Sequence, residues 1–180
     1  MGPEQTRRIL YSEETIQKRV RELGAEITRD YAGQELIMAA VLKGSLYFFA
    51  DLTRAIDLPL QLDFIAIGSY QGNLPNRGVV RFTKDLDLEI TGRHVLLVED
   101  IIRTGLTTGY LVQTLTTRHP ASIRVCSLLV NPDQQLINVP IAYQGFEITR
   151  TRLIGYGMDV AEQGRNLRYI AELPARGADS

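Results

Sequence analysis

The side chains best suited to chemistry lie between residues 95 and 108, and two of them are neighbouring carboxylates. An apolar run ends in Glu99 and Asp100, and a short loop at 103–107 follows before a helical segment. In an open α/β sheet, ligands bind beyond the carboxyl ends of the strands. Carboxylates at such a position suit the hydroxyls of a ribose, or a Mg²⁺ ion held with water in between. The pattern therefore predicts a sugar-and-metal site.

The loop that follows predicts a site for a phosphate group. Gly105 permits a close approach of the main chain, and Thr104 and Thr107 supply hydroxyl groups. The loop leads into a helix, whose first N–H groups and dipole favour an anion. A strand end with solvated acids and an ordinary capped helix is the alternative that a short motif leaves open.

The elements that must position these residues alternate between helices and strands. Residues 12–31 begin with a capping Ser12 and two glutamates, and continue with apolar residues at helical spacing. Further helices are predicted at 45–56 and 107–117. Short apolar runs predict strands at 36–42, 60–67, 94–98, 123–130, 141–146 and 153–156. This order predicts an α/β fold with a mainly parallel sheet, in a single domain over residues 1–180.

The segment 68–78 has a different composition from its neighbours. It contains three glycines, two asparagines and a proline, with few apolar side chains. Such a composition predicts a mobile loop. Residues 79–82 and 86–90 are expected to form a short hairpin beneath it.

The composition argues against several classes of protein. The net charge of -1 gives no support to a nucleic-acid-binding protein. No apolar run approaches the ~20 residues that span a bilayer, and residues 1–10 lack the apolar centre of a secretory signal. The single cysteine, Cys126, excludes an internal disulfide and lies in an apolar run. We therefore expect a cytoplasmic protein with neither a nucleic-acid nor a membrane partner.

The whole string at 95–108 resembles the signature by which type I phosphoribosyltransferases bind 5-phosphoribosyl-1-pyrophosphate (PRPP). Four further motifs follow the order found in bacterial hypoxanthine/guanine phosphoribosyltransferases. They are Leu42-Lys43-Gly44, Ser69-Tyr70, Lys84-Asp85-Leu86, and a block that runs from Gly155 through Asp159 and Glu162 to Arg165-Asn166-Leu167. A single match of this length is weak, but five in the family's order indicate common ancestry.

This resemblance implies the type I phosphoribosyltransferase fold, a mainly parallel sheet flanked by helices, with a small hood and a mobile lid loop. It implies PRPP, Mg²⁺ and a purine base or nucleotide as ligands, and a homodimer or homotetramer. The residues implied for PRPP are Glu99, Asp100, Arg103, Thr104, Gly105, Leu106 and Thr107. Those implied for pyrophosphate are Lys43, Gly44 and Arg165, and those for the metal are Glu99, Asp100 and Asp159. The base would meet Asn131, Arg152, Leu153 and Ile154, and Ser69 and Tyr70 would belong to the catalytic lid.

Three positions depart from the family's pattern, and all three would handle the base. Arg103 stands where the family usually has the aspartate that lies beside the purine N7 and performs acid–base work. A guanidinium group has no acceptor and cannot take that proton. Asn131 stands in place of a lysine that donates to the 6-oxo group, and Arg152 in place of an aromatic residue that stacks on the base. The PRPP and metal residues are retained, so the pattern indicates a changed base site.

Two kinds of function are open on this pattern. The first is a purine-salvage enzyme that transfers phosphoribosyl from PRPP to a 6-oxopurine, with Arg103 at the position of the usual catalytic base. The second is a catalytically impaired relative that binds PRPP or a nucleotide in a regulatory or sensing role, or acts on a different acidic base. A dinucleotide-binding protein is disfavoured, because no Gly-x-Gly-x-x-Gly follows an early strand.

Overall fold

The helices and strands occur in the alternating order that the sequence predicts. The structure is a computed structural model and describes residues 7–69, 80–149 and 152–174. The helices are α1 (Glu13–Asp30), α2 (Leu46–Ala55) and α3 (Leu106–Thr116). The strands are β1 (Arg8–Tyr11), β2 (Leu36–Leu42), β3 (Leu60–Ser69), β4 (Val80–Lys84), β5 (His94–Ile102), β6 (Ser122–Val130), β7 (Ile141–Glu147), β8 (Leu153–Ile154) and β9 (Ile170–Glu172). The predicted helices and the six strands predicted from apolar runs are confirmed, with shifts at their ends.

Helix α1 shows how the local sequence sets the start of an element. The Ser12 hydroxyl accepts the main-chain N–H of Thr15 at 3.2 Å, as an N-cap residue should. The face of α1 that packs on the sheet is formed by Ile16, Val20, Leu23, Gly24 and Ile27, all buried. In the described part of the chain, no helix has the length and apolar character needed to cross a membrane.

The main sheet has the strand order β4-β3-β2-β5-β6-β7, and its pairs are parallel except for β4 against β3. Side chains of β2 alternate between two hydrophobic clusters, one on each face. Met38 packs with the residues of α1 and α2, whereas Ile37 packs with Leu111 and Leu115 of α3. A parallel strand that is buried on both faces reads as a continuous apolar run, which is how β2 and β5 appear in the sequence.

The neighbouring strands β2 and β5 form the topological switch point of this sheet. The chain leaves β2 for α2 on one face, and leaves β5 for α3 on the other. The two connections therefore diverge at the carboxyl edge and leave a crevice, which is where ligands bind in open α/β sheets. Lys43 follows β2 directly, and Arg103 follows β5 directly, so both lie at this crevice.

A second, antiparallel sheet consists of β1, β9 and β8 in that order. It corresponds to the hood that the family resemblance predicts. Strands β1 and β9 have only four and three residues. Runs this short carry no recognisable period of two, so the sequence pattern alone does not predict them.

The hairpin predicted between 79–82 and 86–90 is wrong, because β4 pairs with β3 and residues 86–90 form no strand. The reason lies in Asp63 of β3. Its carboxylate accepts the main-chain N–H groups of Asp87 at 2.8 Å and Leu88 at 2.9 Å, which a strand ladder would otherwise use.

The loop predicted at 68–78 starts later than expected. Gly68 and Ser69 are the last residues of β3 and pair with Arg81 and Val80. The rest of that prediction falls on residues 70–78, which lie outside the described residues.

Asp63 is a buried carboxylate that ties β3 to the segment after β4. It also accepts the N–H of Phe64 at 2.7 Å and the ammonium group of Lys84 at 3.2 Å. Burial raises the pKa of Asp63, but the hydrogen bonds from Leu88, Phe64, Lys84 and Asp87 outweigh burial and bring the pKa below its ordinary value. The ionised form of Asp63 therefore stabilises the fold.

We expect Asp63→Asn to lower the free energy of unfolding at pH 7 by about 2 kcal/mol, the range for losing hydrogen bonds to a charged group, because Lys84 is partly exposed and keeps other partners. Because the folded pKa lies below the unfolded value, the stabilisation is complete above about pH 4 and is lost as the pH falls through the folded pKa. Urea unfolding at a series of pH values should show the two proteins converging in acid.

Asp87→Asn is the matched control, because the Asp87 side chain is 82% exposed and pairs with the same lysine. We expect it to change stability by less than about 1 kcal/mol. An equal loss of stability in both variants would show that Asp63 has no special part in holding this segment.

Candidate active site

Two loops and the end of β5 meet at the crevice between β2 and β5. Gly44 follows β2, and a Cβ atom there would overlap the carboxylate of Asp100 near the end of β5. Gly157, from the C-terminal block, packs against the carbonyl oxygen of Gly44 with a φ of 101°. The Leu42–Lys43 peptide bond in the first loop is cis. Gly44 thus allows the first loop to lie directly against the Asp100 carboxylate, and Gly157 allows the C-terminal block to lie against the first loop.

The two predicted acids point to opposite sides of the sheet, as successive residues of a strand do. Glu99 is 6% exposed, and it accepts the hydroxyl of Thr108 in α3 at 3.2 Å. Asp100 lies against Gly44 on the other side. The carboxylates are therefore divided: Asp100 faces the crevice, and Glu99 is enclosed beside the first turn of α3.

Electrostatics distinguish these acids further. Burial and the charge of Asp100 raise the pKa of Glu99 well above its ordinary value, although the Thr108 hydroxyl acts in the opposite direction. Burial also raises the pKa of Asp100, against the effects of main-chain N–H groups and of the positive charges on Arg103 and Arg165. Asp100 is thus a desolvated carboxylate that a bound cation would stabilise in its ionised form.

The predicted pyrophosphate-binding cations share one carboxylate. Lys43 Nζ lies 3.1 Å from one oxygen of Glu162, and Arg165 Nη2 lies 3.2 Å from the other. Arg165 also contacts Asp159, a predicted metal ligand, at 2.7 Å and donates to the Gly157 carbonyl at 2.8 Å. The hydrogen bonds from Lys43 and Arg165 hold the pKa of Glu162 below its ordinary value. Within the described ranges, His, Cys, Asp and Glu form no cluster of three or more that would hold a metal by themselves.

The predicted phosphate loop ends at the start of a helix, as its sequence indicates. Gly105 is the residue before α3 and has a φ of 76°. The Thr104 hydroxyl accepts the N–H of Leu106, the first helical residue, at 3.4 Å. Arg103 and Leu106 are exposed, and Thr107 is half-buried. The loop therefore presents its polar groups at the same edge of the sheet as Asp100.

The predicted base-binding residues occupy different environments. Leu153 and Ile154 are 3% and 4% exposed and pack in hydrophobic clusters, so they offer only main-chain groups to a ligand. Arg152 Nη1 donates to the carbonyl of Pro174 at 2.5 Å. Asn131 is fully buried directly after β6, at the carboxyl edge of the sheet.

The predicted lid residues are only partly described. Ser69 ends β3 at the same edge as the other loops, because β3 runs parallel to β2. Tyr70 lies outside the described residues. The catalytic lid therefore stays a prediction.

A hydrogen bond that the sequence does not reveal holds the C-terminal block in place. The Tyr156 hydroxyl donates at 2.6 Å to Asp51 of α2, which also accepts from Gln17 at 2.5 Å. Burial, together with the bond to Asp51, raises the pKa of Tyr156. Tyr156 directly precedes Gly157, so this bond fixes the turn that contacts Gly44. A single aspartate on a helix 105 residues away carries no signal of this role.

Comparisons with known proteins agree with this geometry. A family model described as a phosphoribosyl transferase domain matches residues 7–162. A hypoxanthine-guanine phosphoribosyltransferase from Mycobacterium avium is 46% identical over 180 residues, covering 97% of this chain and 89% of that protein. A crystal structure of a hypoxanthine-guanine phosphoribosyltransferase from Bacillus anthracis has a TM-score of 0.86 and 41% identity, covering 92% of this chain and 98% of that one.

A third relative is a structure from Trypanosoma cruzi, studied for the role of its C-terminal region in the oligomeric state and activity of a hypoxanthine phosphoribosyl transferase. It has a TM-score of 0.87 and 36% identity, and it covers 97% of this chain and 94% of that one. The parallel sheet, the hood and the loops at the switch point define a type I phosphoribosyltransferase fold. The chain belongs to the phosphoribosyltransferase family.

We expect Glu162→Gln to bind inorganic pyrophosphate several-fold more tightly than the wild type. Glu162 pairs with both Lys43 and Arg165, so a neutral side chain of the same size frees Lys43 and removes one of the two carboxylates that compete for Arg165. Titration calorimetry at two salt concentrations measures the effect, which should weaken as salt screens the charges.

Glu22→Gln is the control, since Glu22 is an exposed partner of Arg19 on α1 and should leave pyrophosphate binding unchanged. Weaker binding in Glu162→Gln would mean that Glu162 orients the two cations for the anion rather than competing with it.

Proposed function

We propose that this chain transfers a phosphoribosyl group from PRPP to a 6-oxopurine and releases pyrophosphate, as a single-domain enzyme of purine salvage. The observation that carries this proposal is the meeting of Asp100, Gly44 and Gly157 at the switch point, with Lys43 and Arg165 beside them. The relatives named as hypoxanthine-guanine phosphoribosyltransferases over nearly the whole chain support it.

Three groups of residues bind the three parts of PRPP, which are the ribose, the 5′-phosphate and the pyrophosphate. Asp100 binds the ribose hydroxyls, with Glu99 supporting the start of α3 through Thr108. The loop 103–107 binds the 5′-phosphate with its N–H and hydroxyl groups at the start of α3. Lys43, the main chain of Gly44 and Arg165 bind the pyrophosphate, which needs several positive charges and N–H donors.

The donor set fits Mg²⁺ bound together with PRPP. This ion uses one or two carboxylates and completes its coordination with water and phosphate oxygens, so a cluster of three protein ligands is not required. Asp100, Glu99 and Asp159 are the predicted ligands, and Asp100 and Asp159 are the two that lie by Arg165. When bound, Mg²⁺ would shield the charge that develops on the leaving pyrophosphate.

In the transfer step, the bond between C1′ of the ribose and the pyrophosphate oxygen breaks, and a bond forms between C1′ and a ring nitrogen of the purine. The purine gives up its imidazole proton to solvent, because Arg103 is a guanidinium with no lone pair to offer and cannot accept it. The absence of an acid–base group there should slow the reaction by about 10²–10⁴-fold without abolishing it. Ser69 and Tyr70 would keep water from the reacting carbon.

We further propose that the chain acts in the cytoplasm as a homodimer or homotetramer. The T. cruzi relative, whose oligomeric state has been studied, supports self-association without giving the number of subunits. Leu46 and Tyr47 at the start of α2 are 45% and 40% exposed, as apolar residues at a contact between subunits would be in one isolated chain.

A Mg²⁺-dependent assay with PRPP and a panel of purines tests the transfer directly. We expect nucleotide and pyrophosphate to form in equal amounts with hypoxanthine or guanine. Tight binding of PRPP or a nucleotide without turnover of any base would instead identify a sensing or regulatory protein.

We expect Arg103→Asp to raise turnover with hypoxanthine or guanine by about tenfold or more, equivalent to roughly 1.4 kcal/mol of barrier. The new carboxylate supplies an acceptor for the imidazole proton. Steady-state kinetics of the two variants Arg103→Asp and Arg103→Ala separates this effect from simple removal of the positive charge. The same turnover in both variants would show that a proton acceptor at this position does not limit the reaction.

A further inference from the structure

The side chain of Asn131 is buried with both of its polar atoms unpaired. Asn131 is 0% exposed, and neither Nδ2 nor Oδ1 has a hydrogen-bond partner among the described residues. An unpaired amide inside a protein lowers stability, and each such group in a native structure calls for an explanation.

The main chain of Asn131 does not supply that explanation, because it is fully bonded. Its N–H donates to the carbonyl of Ile102 at 2.8 Å, and its own carbonyl accepts the N–H of Gln134 at 3.3 Å. The main-chain hydrogen bonds of this residue are therefore all made without any contribution from its side chain. A hydrophobic residue of similar size would fill the same space without leaving polar atoms unpaired.

The position of Asn131 points to a ligand. It follows β6 at the carboxyl edge of the sheet, and its bond to Ile102 places it beside the residue that precedes Arg103. This edge holds the candidate active site, and ligands of open α/β sheets bind there. The amide is therefore a polar group held in place next to the site and not used by the fold.

The chemistry of an amide sets what it can recognise. It carries a donor and an acceptor side by side, and a rotation of 180° exchanges them. One orientation matches the N1–H and carbonyl oxygen of a 6-oxopurine, and the other matches the N1 and amino group of a 6-aminopurine. A lysine at this place would have donors only, and would therefore favour the 6-oxo group.

We propose that Asn131 binds the N1/C6 edge of the purine and admits both 6-oxo- and 6-aminopurines. This inference rests on the proposed function, because it assigns the base edge of that same site. Because Asn131 is fully buried, a base reaches its amide only if neighbouring side chains move, and the hydrogen bonds gained would then pair both of its polar atoms. Discrimination between the two purine classes is consequently small, since it is a difference between two similar pairs of hydrogen bonds.

The test compares binding of inosine and adenosine monophosphates by calorimetry, which requires no turnover. We expect the wild type to bind the two within about tenfold of each other. Asn131→Leu should weaken both by about tenfold or more, and Asn131→Lys should keep inosine monophosphate while losing about tenfold or more toward adenosine monophosphate. Asn138→Leu is the matched control, because Asn138 is exposed and should change neither affinity.

A second readout separates recognition from a structural role. Because the amide is unpaired, Asn131→Leu should raise the urea midpoint of unfolding, whereas a residue needed by the fold would lower it. A lowered midpoint, or unchanged affinity for both nucleotides in Asn131→Leu, overturns the proposal.

The affinities of the wild type for the two nucleotides also test the proposal without any variant. Affinity for adenosine monophosphate about a hundredfold or more below that for inosine monophosphate overturns the inference and leaves the proposed function standing. If neither nucleotide binds, the inference is overturned as well. Turnover of hypoxanthine with PRPP then decides separately on the proposed function.

Discussion

The close approach of two loops to the end of β5, at the carboxyl edge of the sheet, is the constraint on which the rest of the site depends. Gly44 lies against the Asp100 carboxylate, and Gly157 lies against the Gly44 carbonyl, at distances that leave no space for a side chain. This contact is possible only because β2 and β5 are neighbours whose connections leave on opposite faces. The fold therefore creates the crevice, and the glycines allow the main chain to line it.

Hydrogen bonds and ion pairs from other elements of the structure hold these loops in place. Asp51 of α2 accepts the hydroxyl of Tyr156 and so fixes the turn that contains Gly157. Glu162 bridges Lys43 and Arg165, which come from loops 122 residues apart in sequence (165 − 43). The charges at the crevice are thereby arranged before a polyanion arrives, which limits the reorganisation that binding requires.

Much of this arrangement can be predicted from the sequence. The apolar runs of β2 and β5, the glycine-bearing loop and the start of α3 are local patterns, and the structure confirms them. Glu99 and Asp100 point to opposite sides of the sheet because side chains alternate along a strand. This could be predicted only if β5 were known to continue to Ile102 rather than to end at residue 98.

Other features depend on contacts between distant residues and have no local signal. Asp63 takes the N–H groups that the predicted hairpin would have used, which makes that prediction wrong. The pairing of Lys43 with Glu162 and the burial of the Asn131 amide arise only when the loops are brought together. The departures at Arg103 and Arg152 are visible in the sequence, but their consequences depend on the base that occupies the site.

The central claim is that Asp100 and the loops around it form a Mg²⁺-dependent PRPP site. The most direct measurement is calorimetry of PRPP binding to the wild type and Asp100→Asn, with and without Mg²⁺, and with Asp87→Asn as an exposed control. We predict that Mg²⁺ strengthens binding to the wild type and to the control. In Asp100→Asn we predict a loss of about tenfold or more, equivalent to roughly 1.4 kcal/mol, at an unchanged unfolding midpoint. An affinity in Asp100→Asn equal to that of the wild type, with the same dependence on Mg²⁺, would contradict the account.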